Sequence, residues 1–140
     1  MGSLYRAMMA ASPGGGPPPA GAHAYWRVRV TKARGGSAFS ISVGELAMRS
    51  SASQANLCAG GTPINSASFG SGFEATKAFD GSALTRWASP VGAPHWIGYH
   101  FASPVEVAQV AITSPATPVP NELPEDFVVE WSDDGLSWTA

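Results

Sequence analysis

Apolar and polar residues alternate with a period of two in several short runs of this chain. In Tyr25-Trp26-Arg27-Val28-Arg29-Val30-Thr31, Trp26, Val28 and Val30 fall on one face and Arg27, Arg29 and Thr31 on the other. That is the pattern of a half-buried strand. The two arginines suit a solvated face or the charged guard of an edge strand better than a ligand patch. Phe39-Ser40-Ile41-Ser42-Val43 alternates again and runs into a short irregular piece over residues 45–49. Residues 94–101 are apolar on both faces, Ala102-Ser103-Pro104 reads as a turn, and residues 105–113 form the next strand. Phe127-Val128-Val129-Glu130-Trp131-Ser132 alternates once more, and Asp133-Asp134-Gly135 is a tight-turn signal into Ser137-Trp138. No segment sustains the 3.6-residue period of a helix. Short strands separated by Gly and Pro turns predict an all-β sandwich.

Between these strands lie two longer connections. Residues 50–72 are rich in Ser, Ala and Gly and too poor in branched apolar residues to build core, so they read as a long loop. Residues 114–124 form a Pro-rich loop containing Asn121 and Glu122. At the start, Ser12-Pro13-Gly14-Gly15-Gly16-Pro17-Pro18-Pro19-Ala20-Gly21 mixes flexible Gly with stiff polyproline and cannot bury a core. Residues 1–23 therefore read as a tail or linker, and residues 24–140 as one domain.

Composition narrows the class of function. Only 13% of residues are charged and the formal net charge is −2, so no face is basic enough to neutralise a phosphate backbone, and nucleic acid is not an expected partner. The single Cys58 allows neither an internal disulfide nor a paired-cysteine metal site, and it reads as a small buried hydrophobe. The first residues lack the charged region and apolar core of a secretory signal, and no run reaches the 18 apolar residues of a spanning helix. The expectation is a protein made in the cytoplasm that does not insert into a membrane.

The densest stretch is Ala75-Thr76-Lys77-Ala78-Phe79-Asp80-Gly81-Ser82-Ala83-Leu84-Thr85-Arg86-Trp87. An apolar anchor, a turn acid, a threonine and a tryptophan within thirteen residues suggest a rigid loop whose oxygens hold either one another or an ion. It offers no nucleophile, base and acid in one place. Glu122, Glu125 and Asp126 read as a solvated acidic surface, and His23, His95 and His100 have no metal-ligand spacing to a Cys or acid. No catalytic activity is expected.

Three signals occur in order: Ala78-Phe79-Asp80-Gly81-x-x-x-Thr85-x-Trp87, His95-Trp96-Ile97-Gly98-Tyr99-x-Phe101-x-x-Pro104-Val105-x-Val107, and Phe127-x-Val129-x-x-Ser132-x-Asp134-Gly135-x-x-Trp138. Together they resemble the discoidin domain, also called coagulation factor 5/8 type C, over residues 24–140. The Tyr25–Thr31 opening is similar to discoidin-like modules encoded by bacteriophages, often in tail or fibre proteins. The resemblance implies an antiparallel jelly-roll β-sandwich of the galactose-binding-like type. It implies a module that binds glycans, lipids or proteins through loops at one end of the sandwich.

On that resemblance, Phe69, Phe73, His95 and Asn121 lie in the ligand-gripping loops, while Trp87 and Trp138 belong to the core; Trp131 reads as core because it shares its strand face with Phe127 and Val129. Asp80, Ser82 and Thr85 are the positions of a structural calcium, with an Asx turn closed by Asp80 itself as the equal alternative. The chain departs from the galactose-binding members at Ala88, where they carry His, and at Ser114-Pro115, where they carry Arg. The family also runs on beyond the position of Trp138. The resemblance therefore implies either a sandwich lacking its last strand or one completed by another chain. The expected function is adhesion or host-surface glycan recognition by a phage virion or tail-associated module. Its expected location is the virion or an extracellular surface, and its expected partners are cell-surface glycans or proteins, other virion proteins and copies of itself. The alternative is a purely structural virion decoration or assembly protein.

Overall fold

A computed structural model of the chain describes residues 4–8 and 21–140, the first segment by its backbone. Nine strands appear among these residues: β1 (Leu4–Met8), β2 (His23–Ala33), β3 (Ser42–Val43), β4 (Glu45–Arg49), β5 (Thr62–Asn65), β6 (Trp87–Ala88), β7 (His95–Val105), β8 (Gln109–Thr113) and β9 (Pro124–Ser132). Two single 3₁₀ turns, Ala75–Ala78 and Pro120–Glu122, are the helical pieces among the described residues. Every strand pairing is antiparallel. One sheet has the order β5-β7-β2-β9, a second the order β1-β8-β4, and β3 and β6 pair with each other.

The alternating runs explain how the two sheets face each other. Trp26, Val28 and Val30 are fully buried, as the period of two requires. They stand opposite Tyr99, Ile97 and His95 on one side and Trp131, Val129 and Phe127 on the other. From the second sheet Leu46, Met48, Val110 and Ile112 meet them, and Trp87 and Val43 close the core from the third pair. The chain is thus the all-β antiparallel sandwich that the pattern predicts. Burying a side chain of this size stabilises by about 1.5–3 kcal/mol, so Trp26, Trp87 and their neighbours dominate the fold's energetics.

Several boundaries differ from the sequence reading. Ala102-Ser103-Pro104 is not a turn: β7 continues through it to Val105, and the chain turns at residues 106–108 before β8. Residues 45–49 form a full strand rather than an irregular piece, because β8 supplies a complete partner from Glu45↔Thr113 to Arg49↔Gln109. The long loop over residues 50–72 contains β5, whose Thr62–Asn65 ladder is formed against β7 although Pro63 and Asn65 disfavour a strand. Within residues 1–23, Leu4–Met8 forms β1 against β8, and His23 already belongs to β2. Most of the Pro/Gly-rich run lies outside the described residues. At the other end Thr139 bridges to Trp131, using both backbone groups of Trp131.

Arg27 and Arg29 do not guard an edge. β2 lies between β7 and β9, and both guanidinium groups donate to the Glu130 carboxylate, at 2.7 and 2.9 Å. Partial burial pushes the Glu130 carboxyl up, but the hydrogen bonds from Arg29 and Arg27 prevail and hold it below its ordinary value. Arg27 also lies over the ring of Trp138, 3.9 Å from its centroid, and 4.8 Å from that of Trp96. Trp138 is consequently half-buried on the outer face of this sheet and not in the core, a correction to the framework role expected for it. Trp131 is also only half-buried: it packs on the core at the edge strand and stacks on His23. Gly98, opposite Arg27, permits this close layer, since a Cβ there would lie 2.2 Å from the Trp26 carbonyl oxygen.

Candidate functional site

The stretch from Phe79 to Ala88 contains two neighbouring arrangements of polar groups, one closed on itself and one open. The closed one is the Asp80 loop. Asp80 Oδ1 accepts from the Ser82 N–H at 3.0 Å, an Asx turn, while Oδ2 accepts a short hydrogen bond from the Thr85 hydroxyl. Thr85 Oγ1 also lies 3.1 Å from the Ser82 carbonyl, and the Ser82 hydroxyl accepts from the Leu84 N–H at 3.2 Å. Gly81 takes a positive φ of 78° at the tip, where a side chain would be strained. Phe79 holds the loop down by packing its ring 5.2 Å from that of Tyr99.

A residue absent from the sequence reading joins this loop. Glu45, at the start of β4, accepts the Ser82 N–H at 3.1 Å and forms a side-chain hydrogen bond with Asp80. Burial first, then this contact with a second carboxyl, pushes Glu45 up to about 7. Asp80 is held below its ordinary value: partial burial raises it, but the hydrogen bonds from Thr85, Glu45 and Ser82 outweigh that. Glu45 stands 35 positions before Asp80, and no local pattern marks it. Among the described residues no group of three or more His, Cys, Asp or Glu side chains converges on one point. The oxygen set at this loop is two carboxyls, the Thr85 and Ser82 hydroxyls and the Ser82 carbonyl.

The open arrangement begins at Arg86. Trp87 is driven wholly into the core, while Arg86, just before the two-residue strand β6, and the buried Ala88 within it lie on the side away from the Trp87 ring. They line a pocket of about 120 Å³ together with Ser40, Phe69, Phe73 and Glu122. Phe69 and Phe73 pack edge to face with centroids 5.8 Å apart, and Phe69 remains 59% exposed. The Arg86 guanidinium stands 5.0 Å from the Phe73 ring centroid. Its Nε is buried and has no hydrogen-bond partner. Glu122, from the 3₁₀ turn before β9, accepts from the Ser42 hydroxyl at 2.6 Å. No ion pair joins Arg86 to Glu122 among the described residues.

Of the four residues expected to contact a ligand, the structure brings Phe69 and Phe73 into this pocket. Asn121 sits beside it: its carbonyl accepts from the Gly35 N–H at 2.8 Å, and it is the next residue, Glu122, that lines the wall. His95 is not among the lining residues. It opens β7 and shares a hydrogen bond of 2.9 Å with the Ser66 hydroxyl, and desolvation holds its imidazole below the ordinary range. Arg86 and Glu122 were missed. Arg86 stands beside the buried Trp87, one residue before β6, and no local pattern singles it out. In the sequence Glu122 reads as part of an acidic surface with Glu125 and Asp126. That cluster is divided in the fold, with Glu122 at the pocket and Glu125 paired to Lys32 at 2.6 Å.

The remaining chemistry-bearing residues are accounted for by packing. Cys58 packs against the core, and burial pushes its thiol up to about 12, away from the thiolate form. Asp134 Oδ1 accepts from the Leu136 and Ser137 N–H groups at 2.8 and 2.9 Å and from the Ser132 hydroxyl at 3.0 Å. Those backbone donors hold its carboxyl below the ordinary value and make it a hairpin residue. His100 stacks on Tyr25 with centroids 3.9 Å apart.

No curated protein and no solved structure matched the chain. The model of the F5/8 type C domain matches residues 63–140, which carry β5 to β9, the Asp80 loop and most of the pocket wall. With that match over more than half its length, on an all-β antiparallel sandwich, the chain belongs to the F5/8 type C family of carbohydrate- and ligand-binding modules.

Proposed function

We propose that this chain is a non-catalytic recognition module whose ligand contact is the pocket formed by Phe69, Phe73, Arg86, Ala88 and Glu122. One observation carries the reading: the Arg86 Nε–H is buried beside an aromatic wall with no partner in the protein. Leaving a buried charged donor unpaired costs about 1–3 kcal/mol or more, and a ligand oxygen removes that cost. Glu122 supplies an acceptor in the same pocket, and the exposed Phe69 ring offers a surface for the apolar face of a sugar. Ala88 stands at the place of the histidine of galactose binders, so the ligand is a glycan other than one gripped in that way.

The biological setting is part of the same proposal. The similarity of the Tyr25–Thr31 opening to phage-encoded modules supports a virion or tail protein that adheres to a host surface, where many weak contacts act together. Structural calcium belongs here too. Asp80, Glu45, Thr85 and the Ser82 carbonyl are hard oxygen donors of the kind calcium takes, and the two carboxyls lie within hydrogen-bond reach of each other, where a cation would neutralise them. Such an ion would fix the loop that leads into Arg86.

An array of immobilised host-surface glycans tests the reading. The wild-type chain should bind a subset saturably, and Phe73→Ala should lose that binding without losing its fold. An Ala substitution at His95 should leave it intact. Binding that survives Phe73→Ala and disappears with His95→Ala would move the contact elsewhere.

A further inference from the structure

Strand β1 has an unusual attachment. Its Leu4–Met8 backbone pairs with β8 over five residues, from Leu4↔Thr113 to Met8↔Gln109, and β8 is already paired along its other side with β4. β1 is therefore an edge strand laid on a ladder that persists without it. Its departure would leave the N–H and C=O groups along that side of β8 unpaired, the template that any extended segment of matching register can fill.

The tether between β1 and β2 is longer than this position requires. Met8 lies beside Gln109, and His23 lies beside Val105. Gln109 and Val105 are four Cα steps apart, at most about 14 Å. Adding one interstrand spacing of about 5 Å at each end gives a gap of no more than about 24 Å. The fifteen Cα steps from Met8 to His23 include Pro17-Pro18-Pro19. At the polyproline rise they reach about 47 Å, roughly twice the gap. A tether of that reach can lay its strand on its own β8 or on that of a neighbour, and both choices use the same five-residue register. The two states then differ by the cost of closing the tether, set against the cost of bringing two chains together.

We propose that the β8 edge is a strand-exchange surface between copies of this chain, with Leu4–Met8 of one copy pairing with Gln109–Thr113 of another. Because a tether of this length supplies an effective concentration on the order of millimolar, chains close on themselves when dilute and exchange near millimolar concentration or when arrayed side by side. This is independent of the ligand pocket and of any ligand.

Cysteines placed at the register pair Arg6↔Ala111 test it, in a Cys58→Ser background. Full-length Arg6→Cys and Ala111→Cys chains, one of them isotopically labelled, are mixed at about 1 mM and oxidised with glutathione. The heterodimer should exceed either homodimer several-fold, and its share should fall steeply on dilution to the micromolar range. The double variant Arg6→Cys/Ala111→Cys should close within one chain when dilute. A heterodimer no more abundant than the homodimers, with the double variant closing on itself at every concentration, would overturn the proposal. So would a double variant that never cross-links. Light scattering on the unsubstituted chain guards against misfolded variants: the mass should rise from monomer toward dimer between about 10 µM and 1 mM. A monomer at both concentrations also overturns it.

Discussion

The Asp80 loop and the Arg86 pocket are consecutive in the chain and opposite in their polar accounting. In the loop every prominent oxygen has a partner, and Glu45 even adds one carboxyl too many. In the pocket, the Arg86 Nε is buried and left without one. A closed set of hydrogen bonds fixes a backbone, whereas an open donor beside an aromatic wall waits for a molecule from outside. On the proposed function the difference separates two jobs that a motif reading merges, with rigidity in the loop and recognition in the pocket.

Substitutions can break this comparison, and the largest effect is expected at Arg86. Arg86→Ala should weaken ligand binding by about 10–100-fold, the worth of a charge-assisted hydrogen bond, while the melting temperature stays the same or rises. Binding measured by titration alongside a thermal melt checks both halves. Asp80→Ala should do the reverse in character. It removes the acceptor for Ser82 and Thr85 and should cost about 1–3 kcal/mol of folding stability in a denaturant titration, with a smaller loss of affinity passed on through the loosened loop.

Glu45 gives the comparison a pH axis. Its folded value of about 7 lies above the ordinary 4.5, so the folded chain holds a proton that the unfolded chain releases. Stability from this group is therefore fully present below about 4.5 and is lost as pH rises to about 7. The loss should be about 1–2 kcal/mol, reduced because the carboxyl is half-exposed. Asp80 acts in the opposite direction, its contribution fading as pH falls through its depressed value. Urea titrations at pH 5 and pH 8 should show the drop, and Glu45→Gln should flatten it. Millimolar calcium at pH 8 should restore the stability of the wild type and leave Glu45→Gln less changed; no effect of calcium on either would retire the ion. The smallest effect is expected for Ser42→Ala, which frees Glu122 from its 2.6 Å hydrogen bond and should change affinity by less than about fivefold.

Much of the frame was legible before the fold. The period of two in β2 and β9 assigned Trp26, Val28 and Val30 to the core correctly, because side chains on a strand must alternate. Residues 45–49 and β5 were not legible, since their strand state comes from β8 and β7 and not from their own composition. Trp138 was misplaced for a related reason: the sequence shows a large ring at a framework position but not the Arg27 guanidinium that holds it on the outer face. Phe69 and Phe73 are read from the sequence as loop residues at the binding end, and the fold places both at the pocket. Arg86 was hidden by its more conspicuous neighbours Thr85 and Trp87, and Glu122 by the acids that follow it. Glu45 could be found only in three dimensions, since its partners Asp80 and Ser82 lie 35 and 37 positions away.

The claim that Arg86 awaits a ligand oxygen can be read at the atom itself. In ¹⁵N-edited spectra of the full-length chain, the Arg86 side-chain Nε–H signal should move, and its exchange with water should slow, on titration with a glycan that the chain retains on an array. The Arg27 and Arg29 signals, already committed to Glu130, should stay in place. Saturable binding with an unmoved Arg86 signal, or equal affinity in Arg86→Ala, would contradict the account.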